Sequence, residues 1–245
     1  MKKILITGGS KGIGLACVHK FLAKGWHVIC CSRNESTWQE NSREHVALSK
    51  VEYYVCDVSN QADVDLLFSN IKRNHSHIDA AINNASPAAS SEGNFKDVSL
   101  GLLRETMESD LWPTILCLNH ELNIMKEGAG IVNITSVNGI RPIPGAAMYG
   151  VAKHGIESLT KSVALEAISH KIRINSIAPG VTWTPRWEAR AKDNADIRQA
   201  VENLVPLKRF AIPDEVANSA YWLLSDQASY IVGHTLVIDG GLSLK

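Results

Sequence analysis

The chain holds 245 residues, and its 25 lysines and arginines are balanced by 25 aspartates and glutamates, so the formal net charge is zero. That balance leaves no basic footprint for nucleic acid or an anionic membrane surface. The make-up, 45% hydrophobic and 20% charged, belongs to a globular chain and excludes extended disorder.

No apolar run approaches the roughly 20 residues of a membrane span, and the short apolar start (Ile4-Leu5-Ile6) runs straight into glycines, so no signal segment is expected. Cys17, Cys30, Cys31, Cys56 and Cys117 are odd in number and form no CxxC pair. They read as reduced, buried small side chains of a cytoplasmic protein, not as metal ligands. Repeats, low-complexity tracts and linker-like stretches are absent, which favours one domain over 1–245.

In chain order, strand-length apolar runs fall at 4–7, 27–31, 52–56, 78–83, 131–135, 173–178 and 235–238. Helical patterns fall between them at 12–24, 62–74, 102–125, 147–169 and 214–224. Near-continuous apolar strands joined by crossover helices predict a parallel α/β sheet covered on both faces. Pro113 lies inside the 102–125 pattern, so that helix should kink or begin late, near Trp112. Residues 35–50 show no clean period and read as a polar connection. The stretch 181–205 is also irregular, holds Trp183 and Trp187, and reads as a substrate lid.

Directly after the first strand stands Thr7-Gly8-Gly9-Ser10-Lys11-Gly12-Ile13-Gly14, which opens a helix. Glycines there permit a tight turn, close approach of backbone to a pyrophosphate, and helix-on-strand packing. The helix start adds free N–H groups and a positive dipole end. At the end of the second strand, where an NAD site carries a carboxylate for the ribose 2′-hydroxyl, the chain has Ser32-Arg33, with Lys11 in the turn. Two cations suit a 2′-phosphate, so NADP(H) is the expected cofactor. NAD(H) is the alternative if Glu35 reaches the ribose.

Tyr149 and Lys153 sit at i, i+4 on a predicted helix, so they share a face. A tyrosine is a poor acid or base at neutral pH unless a nearby cation favours its phenolate. Ser136 follows the fifth strand, where the carboxyl end of a parallel sheet meets the ligand crevice. Its hydroxyl would hold a carbonyl oxygen while Tyr149 delivers a proton.

Taken together, Thr7–Gly14, Asn83-Asn84-Ala85, Ser136 with Tyr149-x3-Lys153, Pro179-Gly180, and Tyr230-Ile231-Val232-Gly233 through Asp239-Gly240-Gly241 stand in an order that resembles the short-chain dehydrogenases/reductases of compact type. The resemblance runs nearly end to end. It implies a single doubly wound Rossmann domain, a seven-stranded parallel sheet of order 3-2-1-4-5-6-7 with helices on both faces. It implies Tyr149 as general acid/base, Ser136 as the substrate-orienting hydroxyl, and Lys153 on Tyr149 and the nicotinamide ribose. Gly8, Ser10, Lys11, Gly12, Ile13 and Gly14 would cradle the cofactor phosphates, with Arg33 beside them. Asp57 and Val58 would flank the adenine, Asn84 and Ala85 the adjoining ribose, and Pro179, Gly180, Thr182 and Thr184 the nicotinamide side. It also implies a homodimer or homotetramer acting on a small carbonyl or alcohol.

The chain departs from the family pattern at three points. Ser86 replaces the glycine after Asn84-Ala85, Asp110 stands where the family's catalytic asparagine would be, and Pro113 where glycine or serine is usual. Aspartate accepts hydrogen bonds but lacks the amide donors. These departures motivate an alternative reading, a non-catalytic dinucleotide sensor or scaffold on the same fold. Within the family, Val205-Pro206-Leu207 and Pro213-Asp214-Glu215-Val216-Ala217 resemble the β-ketoacyl-(acyl-carrier-protein) reductase branch, although 126–130 offers no strongly basic landing surface for a carrier protein.

Overall fold

The computed structural model describes residues 1–86 and 91–245. Seven strands, β1 (Lys3–Thr7), β2 (His27–Ser32), β3 (Glu52–Val55), β4 (Ile78–Asn83), β5 (Met125–Ile134), β6 (Arg173–Pro179) and β7 (Thr235–Ile238), form one parallel sheet of order β3-β2-β1-β4-β5-β6-β7. The expected topology is therefore observed. Its physical basis is legible in β1, whose period-2 alternation sends Ile4 and Ile6 to one face and Leu5 to the other.

On the first face α1 (Gly12–Ala23) packs with the late helix α9 (Pro213–Leu223), burying Val18, Phe21, Val216 and Leu223. The second face is covered by α3 (Gln61–Asn74), α5 (Trp112–Leu122) and α6 (Ala147–Ala167), with Leu67, Phe68, Leu116 and Ala164 in its core. Strand order reverses between β1 and β4, so their carboxyl ends open a crevice at the position where doubly wound sheets bind ligands. All five cysteines are free and buried, and burial pushes the Cys17 and Cys30 thiols up to about 12. Among the described residues no helix is long and apolar enough to cross a membrane.

Three details differ from the sequence reading, and one expectation is met. The expected polar connection at 35–50 holds a helix, α2 (Glu35–Glu44). Trp38 is its only buried residue, so no apolar stripe marks it; Asn34 starts it instead, accepting from the N–H groups of Ser36 and Thr37 at 3.0 and 3.3 Å. The irregular stretch 181–205 holds α7 (Pro185–Asp193), which begins on a proline, and α8 (Ile197–Leu204), neither with a buried residue. As expected from Pro113, the pattern at 102–125 is broken: it splits at Leu111 into α4 (Leu100–Asp110) and α5, which begins at Trp112. Pro113 has no N–H for the carbonyl one turn back, so it can only begin a new helix. Strand β5 starts at Met125, earlier than 131, because Gly128 at φ +81° lets its exposed first half pair with β4 across a register shift.

Candidate functional site

The glycine turn after β1 is built by close approach. Gly8 and Gly12 hold φ of +67° and +56°, and a Cβ on Gly14 would lie 2.2 Å from the Gly8 carbonyl oxygen. Asn84 braces the turn from β4: its amide nitrogen donates to the carbonyls of Thr7 and Gly8 at 3.1 and 3.2 Å. The N–H groups of Asn84 and Ala85 in turn donate to Thr7 Oγ1. The Asn84 side chain thus holds the cradle, a role distinct from the ribose contact that the resemblance implied.

Beside the turn opens a cavity of about 1450 Å3. Every sequence-predicted site residue lines it except Gly14 and Asp110. Gly14 acts through packing against Gly8, and Asp110 lies behind the wall. At one end, exposed Lys11 and Arg33 have no carboxylate partner among the described residues. Glu35, the carboxylate that an NAD site would need, does not line the cavity. A glycine cradle at a helix N-terminus, with two cations that no carboxylate among the described residues pairs, fits a dinucleotide carrying a 2′-phosphate.

At the other end stand Ser136, Tyr149 and Lys153. Ser136 caps a short 3-10 turn, accepting from Asn138 N–H at 3.1 Å, and Gly139 in that turn lies so near α6 that a Cβ there would meet the Lys153 carbonyl carbon at 2.9 Å. The serine turn is thereby pressed onto the helix that carries the other two residues. Lys153 is 2% exposed, and its Nζ lies 5.3 Å from the Tyr149 ring centre. One turn further on, buried Glu157 accepts from Thr135 Oγ1 at 2.5 Å, from Ser176 Oγ at 2.8 Å and from Thr235 Oγ1. It ties α6 to β5, β6 and β7 and so fixes the height of Tyr149 and Lys153. Sequence reasoning missed it, since nothing local marks a buried glutamate whose donors lie on three strands.

Asp110 is buried behind Lys153, its Oδ1 3.7 Å from Nζ, and Ser86 Oγ donates to that same Oδ1. Two of the three departures from the family pattern therefore meet. The serine that replaces glycine solvates the aspartate that replaces asparagine, and the carboxylate faces the buried ammonium. Ser86→Ala and Asp110→Ala should therefore not add: a denaturation double-mutant cycle should give an interaction of about 0.5–3 kcal/mol. Additive effects would separate the two positions.

The lid aromatics divide. Both pack edge-on against Phe210, at 5.0 Å for Trp183 and 5.2 Å for Trp187, but Trp187 lines the cavity whereas Trp183 lies under Arg198 at 4.5 Å. Arg141 donates to the Leu242 carbonyl at 2.6 Å and anchors the C-terminal turn.

A family profile described as Enoyl-(Acyl carrier protein) reductase matches residues 8–243. Among curated proteins, a 2,5-dichloro-2,5-cyclohexadiene-1,4-diol dehydrogenase of Sphingobium indicum is 34% identical over 99% of this chain and 97% of its own. A 3beta-hydroxysteroid dehydrogenase 1 of Eggerthella lenta is 34% identical over 99% and 94%. The solved structure of ElxO with NADP bound superposes with a TM-score of 0.93 at 27% identity, covering 100% of this chain and 99% of that one. Levodione reductase superposes at 0.90 and 33%, covering 99% and 98%. With matches of that extent on a sheet of this order, the chain belongs to the short-chain dehydrogenase/reductase family of oxidoreductases.

Proposed function

We propose that the protein is an NADP(H)-dependent oxidoreductase acting on a carbonyl or secondary alcohol, with Tyr149 as its general acid/base. The observation that carries this is the stacking of the buried Lys153 ammonium over the Tyr149 ring in a cavity that also carries Lys11 and Arg33, neither paired with a carboxylate among the described residues. ElxO, solved with NADP and with NADPH, supports the cofactor assignment.

The chemistry that NADPH supplies when bound is a hydride. Around it, Ser136 holds the substrate oxygen with its hydroxyl and Tyr149 delivers the proton to that oxygen as the carbonyl carbon is reduced. Lys153 stabilises the phenolate left behind. Asp110, pinned by Ser86, gives the buried ammonium a counter-charge, since a desolvated cation without one is costly. Lys11 and Arg33 clamp the 2′-phosphate, and the start of α1 faces the pyrophosphate.

The substrate is read as apolar or ring-bearing. Trp187, Val201 and Leu204 put apolar surface from α7 and α8 on the cavity, and these helices are read as the lid. Two of the relatives act, by name, on a cyclohexadienediol and a hydroxysteroid. Keto-thioesters remain in the panel because of the resemblance to the β-ketoacyl reductase branch. The assembly is read as a cytoplasmic homodimer or homotetramer through α4, α5 and α6, which leave Leu102, Trp112, Val151 and Leu165 exposed.

The test is NADPH oxidation over a panel of cyclic ketones, hydroxysteroid-type ketones, aldehydes and ketoacyl thioesters, with the alcohols run in reverse. Turnover with any class supports the reading. Tight NADPH binding with no turnover across the panel would instead establish the sensor reading that Ser86 and Asp110 suggest. In the same assay Arg33→Ala should weaken NADPH about 10- to 100-fold, the value of one or two charge-assisted hydrogen bonds, and change NADH less than about twofold. Equal losses for both cofactors would remove Arg33 from the 2′-phosphate site.

A further inference from the structure

At the end of the sheet opposite the cofactor crevice, three residues far apart in sequence bring their polar atoms to one point. His27 opens β2, Glu52 opens β3, and His75 caps the C-terminus of α3. His27 Nε2 and His75 Nε2 lie 2.9 and 2.7 Å from the same atom, Glu52 Oε2. The other carboxylate oxygen, Oε1, is taken by Tyr54 Oη at 2.5 Å and by the Asn74 amide at 3.4 Å. No catalytic or cofactor role uses these residues.

We propose that His27, Glu52 and His75 form a binding site for a divalent transition metal, zinc first, that ties β2, β3 and α3 together. Two imidazole nitrogens and one carboxylate oxygen are the donor set that zinc takes with a water as fourth ligand. The three donor atoms lie within 4.8 Å of one another, and among the described residues this is the one group of histidine, cysteine and carboxylate side chains so arranged. Tetrahedral zinc at bond lengths near 2.0–2.1 Å holds its ligand atoms about 3.3 Å apart. A widening of roughly half an ångström at each imidazole therefore admits the ion. The side chains are only 25%, 22% and 12% exposed, for His27, Glu52 and His75 respectively, so most of the rotamer freedom is already lost before binding. Tyr54 and Asn74 act as outer partners that fix the carboxylate and leave Oε2 facing the imidazoles, the arrangement that metal centres use to orient a ligand.

The probe is zinc chloride, added to the untagged, EDTA-treated full chain and followed by calorimetry and thermal melting. One equivalent should bind with a dissociation constant in the micromolar range or tighter and raise Tm, whereas magnesium should do neither. His27→Gln, His75→Gln and Glu52→Gln should each weaken zinc at least about tenfold. Far-UV circular dichroism and NADPH binding at the other end of the sheet check that each variant folds. Should a variant fail to fold, cobalt(II) on the wild-type chain decides: visible d–d bands of a low-symmetry, four-coordinate site support the proposal, and their absence overturns it. Zinc binding that is unchanged in a folded His75→Gln chain, or no Tm shift in the wild type, would reduce the cluster to a set of hydrogen bonds.

Discussion

Tyr149→Phe is expected to lower kcat by about 10²- to 10⁴-fold, the ordinary contribution of a positioned general acid, while NADPH binds within about twofold of wild type. The substitution removes one hydroxyl and leaves the ring. Lys153 Nζ, 5.3 Å from that ring's centre, therefore keeps its cation–π contact, and the helix α6 keeps the anchor that Glu157 provides one turn beyond Lys153. The distant cradle of Gly8, Gly12 and Asn84 is untouched. ElxO has been solved as a tyrosine-to-phenylalanine variant with NADPH bound, in line with retained cofactor affinity. Fluorescence titration with NADPH and single-turnover kinetics separate binding from chemistry. A variant that keeps more than about a tenth of wild-type kcat would transfer the proton to another group, and one that loses NADPH would make Tyr149 a binding residue.

The second large effect concerns Glu121, on α5. It is fully buried, and its Oε2 accepts from the Asn83 amide at 2.9 Å. Glu121 Oε1 and Asn83 Oδ1 have no hydrogen-bond partner among the described residues. Burial pushes the carboxyl up to about 7 from an ordinary 4.5, with the Asn83 donation pulling only weakly the other way. A carboxyl with a raised folded-state value keeps its proton in the native chain when the unfolded chain has lost it. It is thus neutral to stability below about pH 4.5, and ionisation erodes stability progressively up to about pH 7. The full difference is about 3 kcal/mol. Glu121→Gln mimics the protonated acid at every pH, so its advantage over wild type should be small at pH 4.5 and grow by about 3 kcal/mol by pH 8. That is a Tm difference of roughly 6–12 °C for a chain of this size. Parallel pH–stability curves for the two proteins would refute it. Glu121 is connected toward the site by hydrogen bonds: Asn83 also bonds Asn133, which bonds Thr160 on α6, and the neighbouring Asn84 braces the glycine turn.

Short-range chemistry explains which parts were readable in advance. The near-continuous apolar runs of β1 and β2, the glycines between Thr7 and Gly14, and the i, i+4 pair Tyr149 and Lys153 each state their purpose within a few residues. Pro113 announced the break before α5 for the same reason. Helices α2 and α7 escaped because they bury one side chain or none, and a helix started by Asn34 or Pro185 without an apolar stripe leaves no period to detect; α8 carries Ile197, Ala200, Val201 and Leu204 at helical spacing, but over a stretch shorter than the roughly 11–18 residues in which a period stands out.

Residues 1–245 thus carry, in local pattern alone, the parallel α/β class, the phosphate turn and the tyrosine–lysine pair, since propensity, period and helical spacing act between near neighbours. Folding alone brought Ser86 to Asp110, Glu157 to Thr135, Ser176 and Thr235, and His27 to Glu52 and His75. Their meeting depends on sheet register and crossover packing, and no local rule encodes a contact between polar side chains that reach one another only across strands.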